Sequence, residues 1–575
     1  MKRLLSLLLL LCLAACGGGG GSGGGDSSGG STGSGGNTGT LPPLGAGESA
    51  YTDMLAYSTA PSASLSSANE GAAVTKHTLT LGGHSLAYTA TAGHLIVSAP
   101  GGGAPEASMF YVAYTLDGAA PGTRPVTIFY NGGPGSATVW LHLGSFSPKR
   151  LVTGIPATTA TTPFALVDNA ESLLDVSDLV FVDAVGTGLS EAVSPNTNQT
   201  FWGVDIDAGV MRDFVMRWLS VNQRTASPLF LYGESYGGPR TAVLARALQN
   251  AGVTLTGLVL QSPALNYNSN CGVTGEGACI GNTPSYAATG AWYQLVTPAP
   301  TDLASFMAQM RSFDDTKYAP GLTQFLAGGA FPSNLPPLLA GDTGISSANW
   351  SAHPNLSISQ FQSLLLPGKI TGLYDARMSV AAGSSLASEG DPSSTFLSSS
   401  FATQIGSYLH TQLRYDNNST YVLLSNAINT WNFSHAGLAL PDTVPDLAAA
   451  LAADAKLSVM AGLGLNDLVT PFHVTENDLA RLPAGSKVQT HTYSGGHMSY
   501  LDDTARPLQK ADLTAFYASA LSLHVSAAGL NARAMAATEK PRAITVGTQP
   551  TTRQTPIQQE ALQTPMRDPW VPPHR

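Results

Sequence analysis

The stretch Pro228-Leu229-Phe230-Leu231-Tyr232-Gly233-Glu234-Ser235-Tyr236-Gly237-Gly238-Pro239-Arg240 decides how this chain is read. Pro228 to Tyr232 is an apolar run of strand length. Arg240 to Asn250 reads as a helix, so Gly233 to Gly238 must form a tight strand–helix turn. Gly233 to Gly237 matches G-x-S-x-G, in which a serine sits on a sharp elbow. The pattern by itself is weak, because it recurs at Gly20 to Gly24 and at Gly29 to Gly33 inside a low-complexity segment. Only Ser235 lies between a strand and a helix. There the glycines allow the sharp turn that lifts the hydroxyl above a sheet, beside the positive end of a helix.

Outward from Ser235 the chain alternates strands and helices. Short strands are expected at His77 to Leu81 and His94 to Ser98. Further apolar strands follow at Pro125 to Tyr130, Asp178 to Val182 and Thr256 to Gln261. Asp205 to Asn222 has helical spacing, with Val210, Phe214, Trp218 and Val221 on one face. This alternation predicts an α/β domain with a mostly parallel central sheet, the α/β-hydrolase fold. From Pro263 to Asp446 the rhythm is lost in a Ser/Ala/Pro-rich segment. It returns with strands at Lys456 to Met460 and Lys487 to Thr492 and a final helix, Arg506 to Leu523. The expected organisation is a hydrolase core at 46–262 and 447–525, interrupted by a helical or irregular cap insertion at 263–446.

A serine hydroxyl is a weak nucleophile and needs a base, which in turn needs an orienting acid. In α/β-hydrolases the acid and then the base follow the serine along the chain. The strand Lys456 to Met460 leads to Gly464-Leu465-Asn466-Asp467, and the next strand leads to Ser494-Gly495-Gly496-His497-Met498. Asp467 and His497 are therefore expected on the same sheet edge as Ser235. Asp442, Asp446 and Asp454 precede the strand and are poorer candidates. Asn131-Gly132-Gly133-Pro134-Gly135 follows the strand ending at Tyr130. Its bare backbone makes the Gly133 and Tyr236 N–H groups the expected oxyanion donors, a term worth about 3–4 kcal/mol per donor.

Taken together, Asn131-Gly132-Gly133-Pro134-Gly135-Ser136, Gly233-Glu234-Ser235-Tyr236-Gly237-Gly238, Asp467 and Gly496-His497-Met498 resemble the serine carboxypeptidases, peptidase family S10. The resemblance spans about Thr78 to Leu523. It implies release of C-terminal residues from peptides through an acyl-enzyme, without cofactor or metal. It also implies that Asn131 and Glu234 bind the substrate carboxylate and that Met498 borders the leaving-group subsite. A protonated Glu234 could donate to that carboxylate, whereas two ionised carboxyls in contact repel, so activity favouring acidic pH is expected. Two positions depart from the family pattern. Phe129 stands where a Trp is usual, removing an indole donor, and Ser136 replaces a usual Cys.

The N-terminus reads as an address. Lys2 and Arg3 precede an apolar Leu4 to Leu13, too short for an ordinary spanning helix, which ends in Leu13-Ala14-Ala15-Cys16. This resembles the lipobox of bacterial lipoproteins. It implies a signal peptide at 1–15, diacylation of Cys16, and a site on the bacterial cell envelope, at the outer membrane facing the periplasm. Residues 16–45 then form a tether; 14 of the 62 glycines lie between Gly17 and Gly39. Such a leash has an r.m.s. reach of roughly 25–30 Å. In an exported chain, Cys271 and Cys279 are expected to pair as a small disulfide loop. Residues 526–575 carry Pro541, Pro550, Pro556, Pro565, Pro569, Pro572 and Pro573 without apolar periodicity, and read as a disordered tail.

Composition excludes other classes. The charge of −10 and pI of about 5.6 argue against a nucleic-acid binder. A hydrophobic content of 43% argues against global disorder. No later apolar run is long enough to span a membrane. His473-Val474-Thr475-Glu476 matches a metal-ligand spacing, but without supporting context, so no metal is expected. Two other readings stay open at this level: an esterase or acyltransferase using the same triad, and a catalytically idle lipoprotein that binds peptides.

Overall fold

A run of five mostly apolar strands, each buried along its whole length, forms the middle of the sheet. In the computed structural model, which describes residues 41–99, 102–271 and 277–524, the sheet strands are β1 (Ala72–Leu81), β2 (His84–Val97), β3 (Ala107–Leu116), β4 (Val126–Tyr130), β5 (Asp178–Val182), β6 (Leu229–Glu234), β7 (Gly257–Gln261), β8 (Ser458–Gly464) and β9 (Val488–Tyr493). Their spatial order is β9-β8-β7-β6-β4-β5-β3-β2-β1, and Glu191–Ala192 adds a short tenth strand against β3. Pairing is parallel from β9 through to β5 and antiparallel from β5 to β1. Strands β4 to β8 are buried throughout because both sheet faces are covered, as parallel sheets require.

Alternation along the strands divides the core between the two faces. Ile128, Val180, Leu231 and Leu258 join one cluster with helices α1 (Val204–Val221), α2 (Gly237–Asn250) and α4 (Val444–Ala453). Phe129, Phe181, Tyr232 and Val259 join the other with α5 (Ala505–His524) and α3 (Pro392–Thr411). Val210, Phe214 and Trp218 are buried as their spacing predicts. Val221 is not: as the last residue of α1 it is 41% exposed, where the helix runs past the sheet. This strand order with flanking helices is the α/β-hydrolase fold.

Between β7 and β8 no strand among the described residues joins the main sheet. That interval holds helices at 283–292, 303–313, 319–326, 335–343, 347–352 and 358–364, a small hairpin at 369–371 and 379–381, and α3. The boundary expected at 446 needs correction. It falls inside α4, which packs on α2 as a sheet-covering helix, so the insertion closes near 443. Its Ala-rich sequence hid that role. The insertion is stapled to the core. His435 bridges Asp205 on α1 (2.7 Å) and Asp446 on α4 (2.9 Å). Arg377 pairs with Asp375 and reaches Asp502 (2.6 Å each).

Cys271 and Cys279 are joined, with Cα atoms 5.1 Å apart. No helix among the described residues is long and apolar enough to cross a membrane. The signal peptide, Cys16, most of the tether and the tail expected at 526–575 lie outside the described residues.

Candidate active site

Parallel register brings the chemistry to one sheet edge. Tyr130 at the end of β4 is level with Gly233 of β6, so the residues that follow, Asn131 and Glu234, leave the sheet side by side. The sheet continues in opposite directions from β4, to β5 on one side and β6 on the other. This is the switch point at which open α/β sheets bind ligands. Ser235 sits at φ 62°, the left-handed region that a non-glycine residue enters only when its surroundings force it. The forcing is visible at Gly233, where a Cβ would lie 2.2 Å from the Gly237 carbonyl oxygen. Across the cleft a Cβ on Gly132 would meet the Tyr236 nitrogen at 2.4 Å, so only glycine lets the β4 loop approach the elbow. The Gly133 and Tyr236 N–H groups donate to no acceptor among the described residues, and Gly133 lines the cavity.

Asp467 and His497 follow β8 and β9 and meet. His497 Nδ1 lies 2.8 Å from Asp467 Oδ2, and both side chains are buried. The Asp467 carboxylate also accepts from the Val469 and Thr470 N–H groups (2.8 and 2.9 Å) and from the Thr470 hydroxyl (2.6 Å). These bonds fix its orientation and, with it, the proton on His497 Nδ1. Nε2 is then the basic nitrogen. It is buried without a hydrogen-bond partner, Ser235 Oγ included, while His497 and Ser235 line the same cavity. Catalytic hydrogen bonds of this kind commonly close only when substrate is bound. Burial pulls the His497 pKa down, but the Asp467 carboxylate and the nearby Glu234 outweigh it and hold it above the usual imidazole value.

The second polar pair is Asn131 and Glu234. Asn131 Oδ1 accepts from the Leu141 N–H (3.0 Å), which turns the amide so that Nδ2 donates to Glu234 Oε1 at 2.7 Å. Glu234 Oε2 is buried with no partner. Burial pushes the Glu234 pKa up to about 7, against the opposing pull of His497, Tyr500 and Asn131. Phe129 supplies no donor here; its ring is stacked between Phe181 (4.5 Å) and Tyr232 (4.8 Å).

The cavity itself has a volume of about 200 Å³. Ser235, Glu234, Asn131, His497 and Met498 line it from the core, and Tyr374, Ser394, Ser398, Leu423 and Leu424 from the insertion. Several of its supporting residues carry no motif in the sequence. Arg240 on α2 pairs with Asp207 on α1 (2.6 Å) and donates to the Asn131 carbonyl, bolting the elbow helix to the β4 loop. The Tyr374 carbonyl accepts the His497 N–H (2.6 Å), and its ring meets the imidazole edge-on at 5.1 Å. The buried Tyr500 hydroxyl stands beside Glu234 and Asn131 without a well-formed hydrogen bond to either. Only Tyr500 had a local cue, three residues after His497.

The His473–Glu476 pair lies elsewhere. His473 Nδ1 contacts Glu476 (2.8 Å) and Nε2 contacts Asp315 (3.0 Å), while Arg311 holds Glu476 in a fork. Asp314 is close as well, but accepts from the Gly281 N–H and pairs with the Thr283 hydroxyl. Both ring nitrogens are thus engaged in an ion network joining the insertion to helix 472–479.

With this geometry in place, the chain can be set beside known proteins. A model of the serine carboxypeptidase family matches residues 84–279, from β2 through the elbow to Cys279. Over this segment the chain is similar to the serine carboxypeptidases. Serine carboxypeptidase-like 44 of Arabidopsis thaliana is 31% identical over 143 residues, 24% of this chain and 27% of the plant protein. Serine carboxypeptidase-like 41 of the same plant is 32% identical over 133 residues, 22% of this chain and 26% of the relative. The chain spans about a quarter of the length of the curated relatives it matches. Among solved structures, the prohormone-processing carboxypeptidase Kex1Δp of Saccharomyces cerevisiae aligns over 74% of this chain and 91% of its own. Its identity is 15% and its TM-score 0.49.

Proposed function

We propose that this chain is a serine carboxypeptidase that removes the C-terminal residue of peptides. The observation that carries the reading is the buried Asn131–Glu234 pair, standing in the same cavity as Ser235 and His497. An esterase needs the second pair of residues but not the first. In the proposed reaction Ser235 Oγ attacks the last peptide carbonyl and passes its proton to His497 Nε2. The Gly133 and Tyr236 N–H groups hold the oxyanion, and Asp467 stabilises the imidazolium. Collapse breaks the C–N bond as His497 gives the proton to the leaving amine. Water, deprotonated by His497, then releases the acyl group and restores Ser235.

Glu234 sets the pH range. Below about pH 7 it is protonated and donates to the substrate carboxylate; above it, two carboxylates face each other in a buried site. Its protonation also removes an anion that raises the His497 pKa, so the base stays neutral further into acid. Activity should therefore fall as the pH rises past about 7, where Glu234 ionises, and fall again in acid as His497 takes up a proton. The decisive test compares a blocked dipeptide with its C-terminal amide, with Ser235→Ala as the control. The dipeptide is cleaved and the amide is not; equal cleavage of both would show that no carboxylate is recognised.

The proposed setting is the bacterial cell envelope, through a lipid on Cys16 that leaves the domain on its tether. Mass analysis of the N-terminal peptide from membranes, beside Cys16→Ala, tests this: a diacylated Cys16 is expected, and an unmodified N-terminus would end it.

A further inference from the structure

The cavity is lined by core and insertion together: Trp140, Tyr374, Met498, Ser394 and Ser398 line it along with the Asn131–Glu234 pair. Trp140 directly precedes Leu141, whose N–H holds the Asn131 amide, and its ring lies 4.8 Å from that of Phe401 on α3. Ser394 and Ser398, four apart on α3, therefore share one helix face turned towards the cavity. Met498 and Tyr374 also border a small void beside Leu397 of α3. With its carboxylate on Asn131 and Glu234, the departing residue sits in this cavity and meets its lining.

Apart from Glu234 and His497, which the proposed reaction already uses, no charged side chain is among the residues lining the cavity. A terminal Lys, Arg, Asp or Glu would leave water for a wall with no counter-ion, and an unpaired buried charge is costly.

We infer that the α3 face carrying Ser394 and Ser398, with Trp140, Tyr374 and Met498, selects peptides whose C-terminal residue is uncharged. This rests on the carboxypeptidase reading above. The hydroxyl face is what keeps the pocket neutral, so a carboxylate placed there should admit a basic residue.

The test measures kcat/KM on blocked dipeptides ending in Ala, Leu, Met, Lys, Arg or Asp, for the wild type and for Ser398→Asp and Ser394→Asp. For the wild type, Leu and Met are expected to exceed Lys, Arg and Asp by at least about 10-fold. Ser398→Asp raises the Lys-to-Leu ratio at least about 10-fold, mainly through KM, and Ser394→Asp moves it the same way. A fluorophosphonate label on Ser235 reports whether each variant is folded. Cleavage of Lys and Leu dipeptides within 3-fold of each other, or a ratio unmoved in both labelled variants, overturns the inference alone. A wild type that takes the label and cleaves no dipeptide overturns the carboxypeptidase reading and the inference with it.

Discussion

Two regions meet at one cavity and contribute opposite things. The carboxyl edge of the sheet supplies Asn131, Glu234, Ser235 and His497, all polar and two of them displaced from their usual pKa by burial and by one another. The insertion supplies Tyr374, Ser394, Ser398, Leu423 and Leu424, none of them charged. Reaction needs groups held to fractions of an ångström, and parallel strands in fixed register provide that. Selection needs only a wall of the right size and polarity, which helices and loops can vary without disturbing the sheet. The lesson is a division of labour: damage to the edge should abolish turnover, and damage to the insertion should change what is turned over.

The largest expected effect is at the edge. Ser235→Ala should lower kcat by about 10⁴–10⁶-fold, measured on a blocked dipeptide, with the melting temperature close to wild type. Asp467→Asn keeps the shape but frees the His497 tautomer, and should cost about 10⁴-fold in kcat. A loss below 10-fold would mean that Asp467 does not orient the base. Glu234→Gln sharpens the comparison, because it removes a titrating group from the binding pair. KM should rise about 10–100-fold at acidic pH, and the decline in activity above about pH 7 should flatten. A decline kept intact in this variant would assign it to another group. On the insertion side, Leu424→Ala should change KM by less than about 10-fold and leave kcat and the pH profile in place.

The smallest effect concerns how the insertion is held. His435 bridges Asp205 and Asp446, whose hydrogen bonds raise its pKa to about 10 against burial. A raised pKa means that this bridge stabilises fully below about pH 6.5, the ordinary imidazole value, and is lost as the pH rises towards 10. The melting temperature of the wild type should therefore fall between pH 7 and pH 10, and that of His435→Gln should fall less. Parallel curves for the two proteins would remove the bridge from the account.

The edge was also far more legible than the insertion. Asp178 to Val182 was read to the residue, and β4, β6 and β7 to within a residue or two, because buried parallel strands are short, mostly apolar runs bounded by polar or turn residues. α4 was not read as a covering helix: its alanines give little periodic contrast, and its role depends on α2, far away in the chain. Arg240, Thr470 and Tyr374 were missed for a related reason. Arg240 and Tyr374 act on residues distant in sequence, and Thr470 holds Asp467 by an N–H and a hydroxyl that any loop could carry, so none of them leaves a spacing pattern.

By itself, then, the sequence determined the strand order along the chain, the elbow at Ser235 and the identities of Asp467 and His497. Those rest on local stereochemistry: glycines where backbones must approach, and apolar runs that must be buried. Only the tertiary structure decided that Asn131 and Glu234 share a hydrogen bond, that burial raises Glu234 to about 7, and that α3 turns its serines towards the cavity. Burial and long-range contact are properties of the assembled molecule, set by what packs above the sheet.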